Sequence, residues 1–316
     1  KVNNDEYLKK YKIENDQLIK NNNLLHSFLS FEGDKDNIGF YSSLEVYENL
    51  SKDKQSRHEF IYPSYEFQKK IFSNKGNDYF FKSYGSQRKY DTNIFEGIII
   101  NDILYKSNEK FSKNGIVSNY NALIKNVNVE ANNSNKYKDD FEQSILSIIQ
   151  YNSFYPLKKE GENSINNLTP KISLMYSPNK TKNLSNEKRR IDSSKIFSFN
   201  RIANNETVEG GASITYGATF DKVNKKTKND ILKFELSSLL RLETNQDLPS
   251  SSTLGKKSSD VFGNFEIYPS DKFNLKYNFA LDNNFNKSNY DSISSTVMVN
   301  KFVTTFEYSD EKNELI

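Results

Sequence analysis

Apolar and polar residues alternate with a period of two along most of this chain. After a long polar stretch, Ala212, Ile214, Tyr216, Ala218 and Phe220 fall on one face, and Ser213, Thr215, Gly217, Thr219 and Asp221 on the other. Successive side chains of a strand point to opposite faces, so this segment predicts one apolar wall and one wet wall. The pattern recurs. Ile38, Phe40, Leu44 and Val46 share a face, as do Ile116, Tyr120, Ala122 and Ile124, and then Ile172, Leu174 and Tyr176. Leu232, Phe234 and Leu236 alternate with Lys233 and Glu235, and Phe273, Leu275 and Tyr277 with Lys276 and Asn278. Phe141–Tyr151 alternates poorly, and which of its faces is apolar is not readable. Pro63 removes one ladder donor from a strand-like stretch and marks either a bend or a strand start.

These signals predict about 13 to 15 strands and almost no helix, paired as an antiparallel meander. The connections alternate in length: 180–206 is long and polar, 223–230 short and charged, 245–260 long and Ser-rich, 269–271 a tight turn. Asn132–Lys138 and Leu248–Ser259 read as solvated loops, and 157–168 is moderately long for the short side of the pattern unless part of it extends the flanking strands. Long loops at one end and short turns at the other predict an all-β fold, a large antiparallel transmembrane β-barrel, here a partial one. Its apolar positions face lipid and its polar ones line a lumen.

Composition fits that reading. The chain has 316 residues, 35% hydrophobic, with 20 Tyr and 23 Phe. A mean hydropathy of −0.79 would suit a disordered chain, but disordered chains are poor in aromatics. A wet-lumen barrel needs apolar residues on one face only. The balance of 44 basic and 41 acidic residues argues against a nucleic-acid partner, which would concentrate one sign. No apolar run approaches the roughly 18 residues of a spanning helix. The chain starts at Lys1 rather than Met and ends at Ile316 within a strand-like stretch, which reads as a fragment cut at both ends.

Candidate chemistry is sparse. There is no Cys, and His26 and His58 stand at no metal-ligand spacing. No Ser is singled out beside a base, so no catalytic residue, cofactor or metal is expected. Gly210-Gly211 lacks the helix and flanking glycines of a phosphate cradle and reads as a bend where a loop enters a strand. Arg189 and Arg190 are either an anion-binding patch or part of a solvated loop face.

The series Asn183-Leu184-Ser185-Asn186-Glu187, Ile191-Asp192, Ile196-Phe197-Ser198-Phe199-Asn200-Arg201-Ile202 and Val208-Glu209-Gly210-Gly211 resembles the barrel of the LptD family, the LPS-assembly or organic solvent tolerance proteins. Tyr7-Leu8-Lys9-Lys10-Tyr11, Ile61-Tyr62-Pro63 and Leu168-Thr169-Pro170-Lys171 resemble further family segments in the same order. Thr207, Glu206 and Ile202 depart from the family's Arg, Asp and aromatic residue.

The resemblance implies that residues 1–316 are the central part of an LptD-like outer-membrane barrel, with an amino-terminal jellyroll and the terminal strands absent. It implies non-enzymatic transport of lipopolysaccharide into the outer leaflet; the alternative is a passive porin or receptor-type barrel. The partners implied are lipopolysaccharide, an LptE-like plug lipoprotein, outer-membrane lipid, and a periplasmic bridge reached through the jellyroll. The candidate residues are Arg189, Arg190, Asp192, Phe197, Asn200, Arg201, Glu209, Gly210 and Gly211, which form a structural loop motif that contacts a partner or lipopolysaccharide. The loop 180–206 is expected to be ordered, because a solvated loop has little use for Ile196, Phe197, Phe199 and Ile202 within seven residues. Asn200 and Arg201 are expected to hydrogen-bond the inner wall.

Overall fold

The computed structural model describes residues 23–74, 76–187 and 191–311. Its regular structure is entirely β: β1 (Leu24–Lys35), β2 (Ile38–Asn49), β3 (His58–Asn74), β4 (Asn77–Tyr90), β5 (Ile94–Lys106), β6 (Lys110–Phe111), β7 (Val117–Asn132), β8 (Phe141–Phe154), β9 (Leu157–Glu160), β10 (Ser164–Ser177), β11 (Gly211–Asn224), β12 (Asp230–Arg241), β13 (Val261–Ser270), β14 (Phe273–Leu281), β15 (Ser288–Val299) and β16 (Phe302–Glu311). The hydrogen-bonded order is β1-β2-β3-β4-β5-β7-β8-β10-β11-β12-β13-β14-β15-β16, with β6 on β7 and β9 on β10. Among the described residues no pairing joins β1 to β16. The expected meander is therefore present. The strand count exceeds the expectation because β6 and β9, of 2 and 4 residues, are too short to display a period. No described helix is long and apolar enough to cross a membrane, which leaves crossing by strands untouched.

Two units can be described. One holds the residues up to Tyr105 with Leu123–Leu146, the other Lys106–Ala122 with Ser147 onward. In the first unit, Phe40 pairs with Phe67 on the apolar face. The opposite face carries ion pairs, Arg88 to Glu59 at 2.6 Å and Lys125 to Asp102 at 2.7 Å. Pro63 lies inside β3 where the register shifts against both neighbours, so it marks a bend and not a start. The apolar face is not uniformly apolar. Ser83 donates to Asn101 at 2.8 Å, Asn101 to Asn126 at 3.2 Å, and Asn128 to Asn126 at 2.6 Å. This polar chain shares strand faces with exposed Ile99, Ile103 and Ile124. It is tolerated there because its members satisfy one another.

In the second unit the residues expected to share a face do so, with Asp291 of β15 standing on the apolar side and accepting from the Tyr277 hydroxyl. Phe220, Phe234, Phe265, Tyr277 and Ile293 form one cross-strand row, and Leu174, Ile214 and Leu240 another. The opposite face carries the row Asp221, Lys233, Glu266, Lys276, whose charges alternate in sign from strand to strand. Opposite charges placed directly across a pair stabilise it. The stretch 157–168 resolves into β9, a short turn and the start of β10, which restores the alternation of connections. β8 alternates poorly because both of its faces are apolar: Ile145 and Ile149 are exposed, Leu146 and Ile148 buried.

Candidate functional site

The described residues of two long connections, 178–210 between β10 and β11 and 242–260 between β12 and β13, fold onto the wet wall and roof it. The local chemistry begins at Asp192. Its carboxylate accepts from the Ser194 hydroxyl at 2.6 Å and the Lys195 amide at 3.0 Å, and its carbonyl accepts the amides of Lys195 and Ile196. That tight turn drives Ile196 inward to 0% exposure. Ile196 joins Leu184, Ile191 and Ile202 of its own loop, Leu248 and Leu254 of the other, and Leu239, Phe262, Ala280 and Tyr290 of the wall. Phe197 packs against this cluster's edge, and its carbonyl accepts from Gln150 at 3.1 Å. Fully burying a side chain of this size contributes roughly 1.5–3 kcal/mol, so a cluster of ten can hold a long loop down.

The polar half of the site lies beside this cluster. Arg201 grips Glu209 through two bonds, Nε to Oε2 at 2.6 Å and Nη2 to Oε1 at 2.5 Å. It also donates to Ser213 at 2.7 Å and Thr215 at 2.9 Å, both on the wet face of β11. Arg241, the last residue of β12, reaches the same Glu209 carboxylate and the Gly210 carbonyl. All three charged residues are buried, at 4–5% exposure. Burial alone would raise the Glu209 carboxyl pKa; the two arginines outweigh it and hold the group below its ordinary value of 4.5. One carboxylate between two guanidinium groups ties loop, strand β11 and strand β12 together.

The neck is fastened as well. Gly210 lies so close to the Asn179 carbonyl that a Cβ would sit 2.2 Å from that oxygen, and Gly211 has φ +84°, a left-handed backbone that favours glycine. The Gly210 amide donates to Thr181 at 2.8 Å, and Asn245 of the second loop donates to the same hydroxyl at 2.9 Å. The loops meet again where Leu184 donates to the Asp247 carbonyl at 2.7 Å and the Ser250 hydroxyl to the Ser185 carbonyl at 2.8 Å. Under the Asp192–Ser194 turn lies a polar cavity of about 400 Å³ over Asp221, Lys233, Glu235, Glu266 and Lys276.

Of the residues singled out from sequence, Asp192, Phe197, Arg201, Glu209, Gly210 and Gly211 come together here. Arg189 and Arg190 lie outside the described residues, as does Tyr7–Tyr11. Asn200 corrects the expectation: it is exposed and donates to the Asn204 carbonyl at 3.3 Å, so it caps its own turn and does not touch the wall. Phe199 is half-buried and stands outside the cluster. Leu248–Ser259 corrects another, because Leu248, Leu254 and Ser259 are buried at 3%, 1% and 0% exposure. Its Ser-rich composition hid two leucine anchors. Arg241, Thr181 and Asn245 were missed. An Arg closing the wet face of a strand beside a long loop was the available signal for the first; the other two act through contacts across 64 residues of sequence, which no local pattern shows. His26 and His58 lie elsewhere, beside Glu45 and Glu48.

Comparison with curated proteins finds no match. The family model described as "LptD: LPS transport system D" matches residues 113–316. That span begins before β7 and includes both roof loops and the whole Arg201–Glu209–Arg241 constellation; Ile61–Pro63 lies upstream of it. It covers more than half of the chain, and lipopolysaccharide transport at the outer membrane is the activity that goes with the family. The chain belongs to the LptD family of the LPS transport system.

Proposed function

We propose that this segment is the barrel part of an outer-membrane translocon that delivers lipopolysaccharide to the outer leaflet. The observation that carries the reading is the fastened roof over a wet wall. An amphiphile with a large sugar headgroup needs a polar path for that headgroup and acyl chains kept in apolar surroundings. The face rows of alternating charge supply the first, and the exposed aromatic and aliphatic rows the second. The roof narrows the outer mouth, so that the passage does not leak when idle. An LptE-like plug lipoprotein supports the wet side, and a periplasmic bridge engages a further domain of the protein. Residues 1–316 then act as one barrel portion. The roles of Phe197, Arg201 and Glu209 are to position the roof, with no chemical step.

Two measurements in the full-length protein test this. Depleting it should stop newly made lipopolysaccharide from reaching the cell surface; continued delivery would favour a passive porin. Phe197→Ala with Arg201→Ala should admit large antibiotics while the protein still inserts, and Phe197→Ala alone should do so more weakly. An unchanged barrier, with the wild-type loop open to protease, would overturn the roof's role.

A further inference from the structure

In the second unit the sheet is interrupted. β8 pairs with β10 as far as Phe154 opposite Lys171, and β9 resumes at Leu157 opposite Leu168. Tyr155 and Pro156 leave the ladder between them, with Tyr155 still donating to the Pro170 carbonyl at 3.0 Å. The interruption opens an apolar cleft of about 440 Å³, lined by Asn114, Ile116, Ser153, Tyr155, Pro170 and Ile172 among others. That volume is in the range of small-molecule sites. Ile116, Tyr155 and Ile172 are each about 41–42% exposed, so the cleft opens onto the apolar face.

The β6–β7 hairpin stands beside it. Lys110 pairs with Ser118 and Phe111 with Val117, which puts Lys110 on the strand face of Ile116 and Tyr120. The Lys110 ammonium lies 5.1 Å over the Tyr120 ring, itself 5.0 Å from that of Tyr151. Residues 106–116 carry three lysines and one glutamate, and no described carboxylate pairs with Lys110 or Lys113. Phe111 is 74% exposed. An apolar cleft, a ring of tyrosines and uncompensated lysines at the short-turn end form the profile of a site at the membrane boundary: alkyl surface inward, cations at headgroup level.

We propose that this cleft holds an acyl chain of one anionic phospholipid from the leaflet on the short-turn side, with its phosphate on Lys110 and Lys113. The proposal rests on the reading of the apolar face as lipid-facing. A phospholipid fits better than a peptide because the cleft is mainly apolar, the ammonium of Lys171 in its lining is turned to Glu235 and Phe197, and Lys110 and Lys113 stand beside it on the neighbouring hairpin. The cleft opens on the apolar face and the roof covers the wet one, with the Lys171 ammonium reaching through to 5.9 Å over the Phe197 ring; the site anchors the barrel and takes no part in the transport path.

The test places a tryptophan where this chain has none, using Ile116→Trp in the full-length protein reconstituted in phosphatidylcholine vesicles with a minor fraction of phosphatidylglycerol. One or the other lipid carries brominated chains, and the emission added by the new indole is read. Ile293→Trp, on the apolar row of β15, serves as the bulk reference. Brominated phosphatidylglycerol should quench position 116 as though enriched about fivefold, and position 293 in proportion to its mole fraction. Lys110→Gln with Lys113→Gln should remove the enrichment while quenching by bulk lipid remains. Quenching at 116 that follows mole fraction, as at 293, would overturn the lipid site and leave the lipid-facing reading standing. Quenching at neither position by either lipid would overturn both.

Discussion

Glu209→Ala should open the roof and cost about 3–5 kcal/mol, because it strands two buried guanidinium groups without their counter-charge. The loss should be local. Amides of 181–208 should lose hydrogen-exchange protection and the loop should become protease-sensitive, while the strands stay paired. Replacing all three charged groups together, Arg201→Met with Glu209→Leu and Arg241→Met, should cost less than the single change, since no unpaired charge is left behind. A triple variant as open as Glu209→Ala would mean that the hydrogen bonds to Ser213, Thr215 and Gly210 matter more than the ion pairs. Acid should act on the same group. The folded carboxyl binds its proton less readily than the unfolded one, so its contribution is complete at neutral pH and declines as pH falls below 4.5 toward the lowered folded value. Protease protection of the wild-type loop should therefore fade in that acid window, and fade less in the triple variant.

Ile196→Ala should be nearly as severe, at about 2–5 kcal/mol, for a different reason. Ile196 is fully enclosed in the one cluster that both loops share with the wall, so truncation leaves a cavity that the fastened neck cannot close. At about 1.4 kcal/mol per tenfold, exchange within 181–208 should rise by at least about 25-fold. Protection of the second loop should fall too, since Leu248 and Leu254 lose the same neighbour group. Phe285→Ala, on a 66%-exposed ring in the connection between β14 and β15, should change exchange by less than about twofold. If both loops kept their protection in Ile196→Ala, the polar constellation alone would be holding the roof.

The alternation of side chains is enough to set most of the architecture. A period of two leaves little freedom about facing, because a slip of one residue would invert every side chain of a strand. Leu232, Phe234 and Leu236 therefore had to share a face opposite Lys233 and Glu235, and they do. The cluster of Ile196, Phe197 and Ile202 in a polar loop likewise implied burial, since exposed loops gain nothing from such residues. Arg201 was legible for the same reason, being the one strong donor amid that apolar run.

Other features were decided only in three dimensions. The single-sequence pattern carries no information on what covers a wet face, so β8 looked irregular when its inner positions were merely enclosed. Leu248–Ser259 looked solvated because composition averages over a segment, whereas two leucines suffice to anchor it when a cluster waits beneath. The partner of Glu209 could not be named from its neighbours: Arg201 is eight residues away and Arg241 thirty-two, and they meet because β11 and β12 are paired in one register. Asn200 and Arg201 are adjacent in sequence and have opposite fates, one in solvent and one buried. Strand alternation does not extend into a turn, where the backbone's own hydrogen bonds choose which side chain points down. By itself, then, the sequence determined an antiparallel sheet with one apolar and one wet face and a loop too apolar to float. The tertiary structure decided where that loop landed, which second loop locked it, and which distant arginine completed its charge.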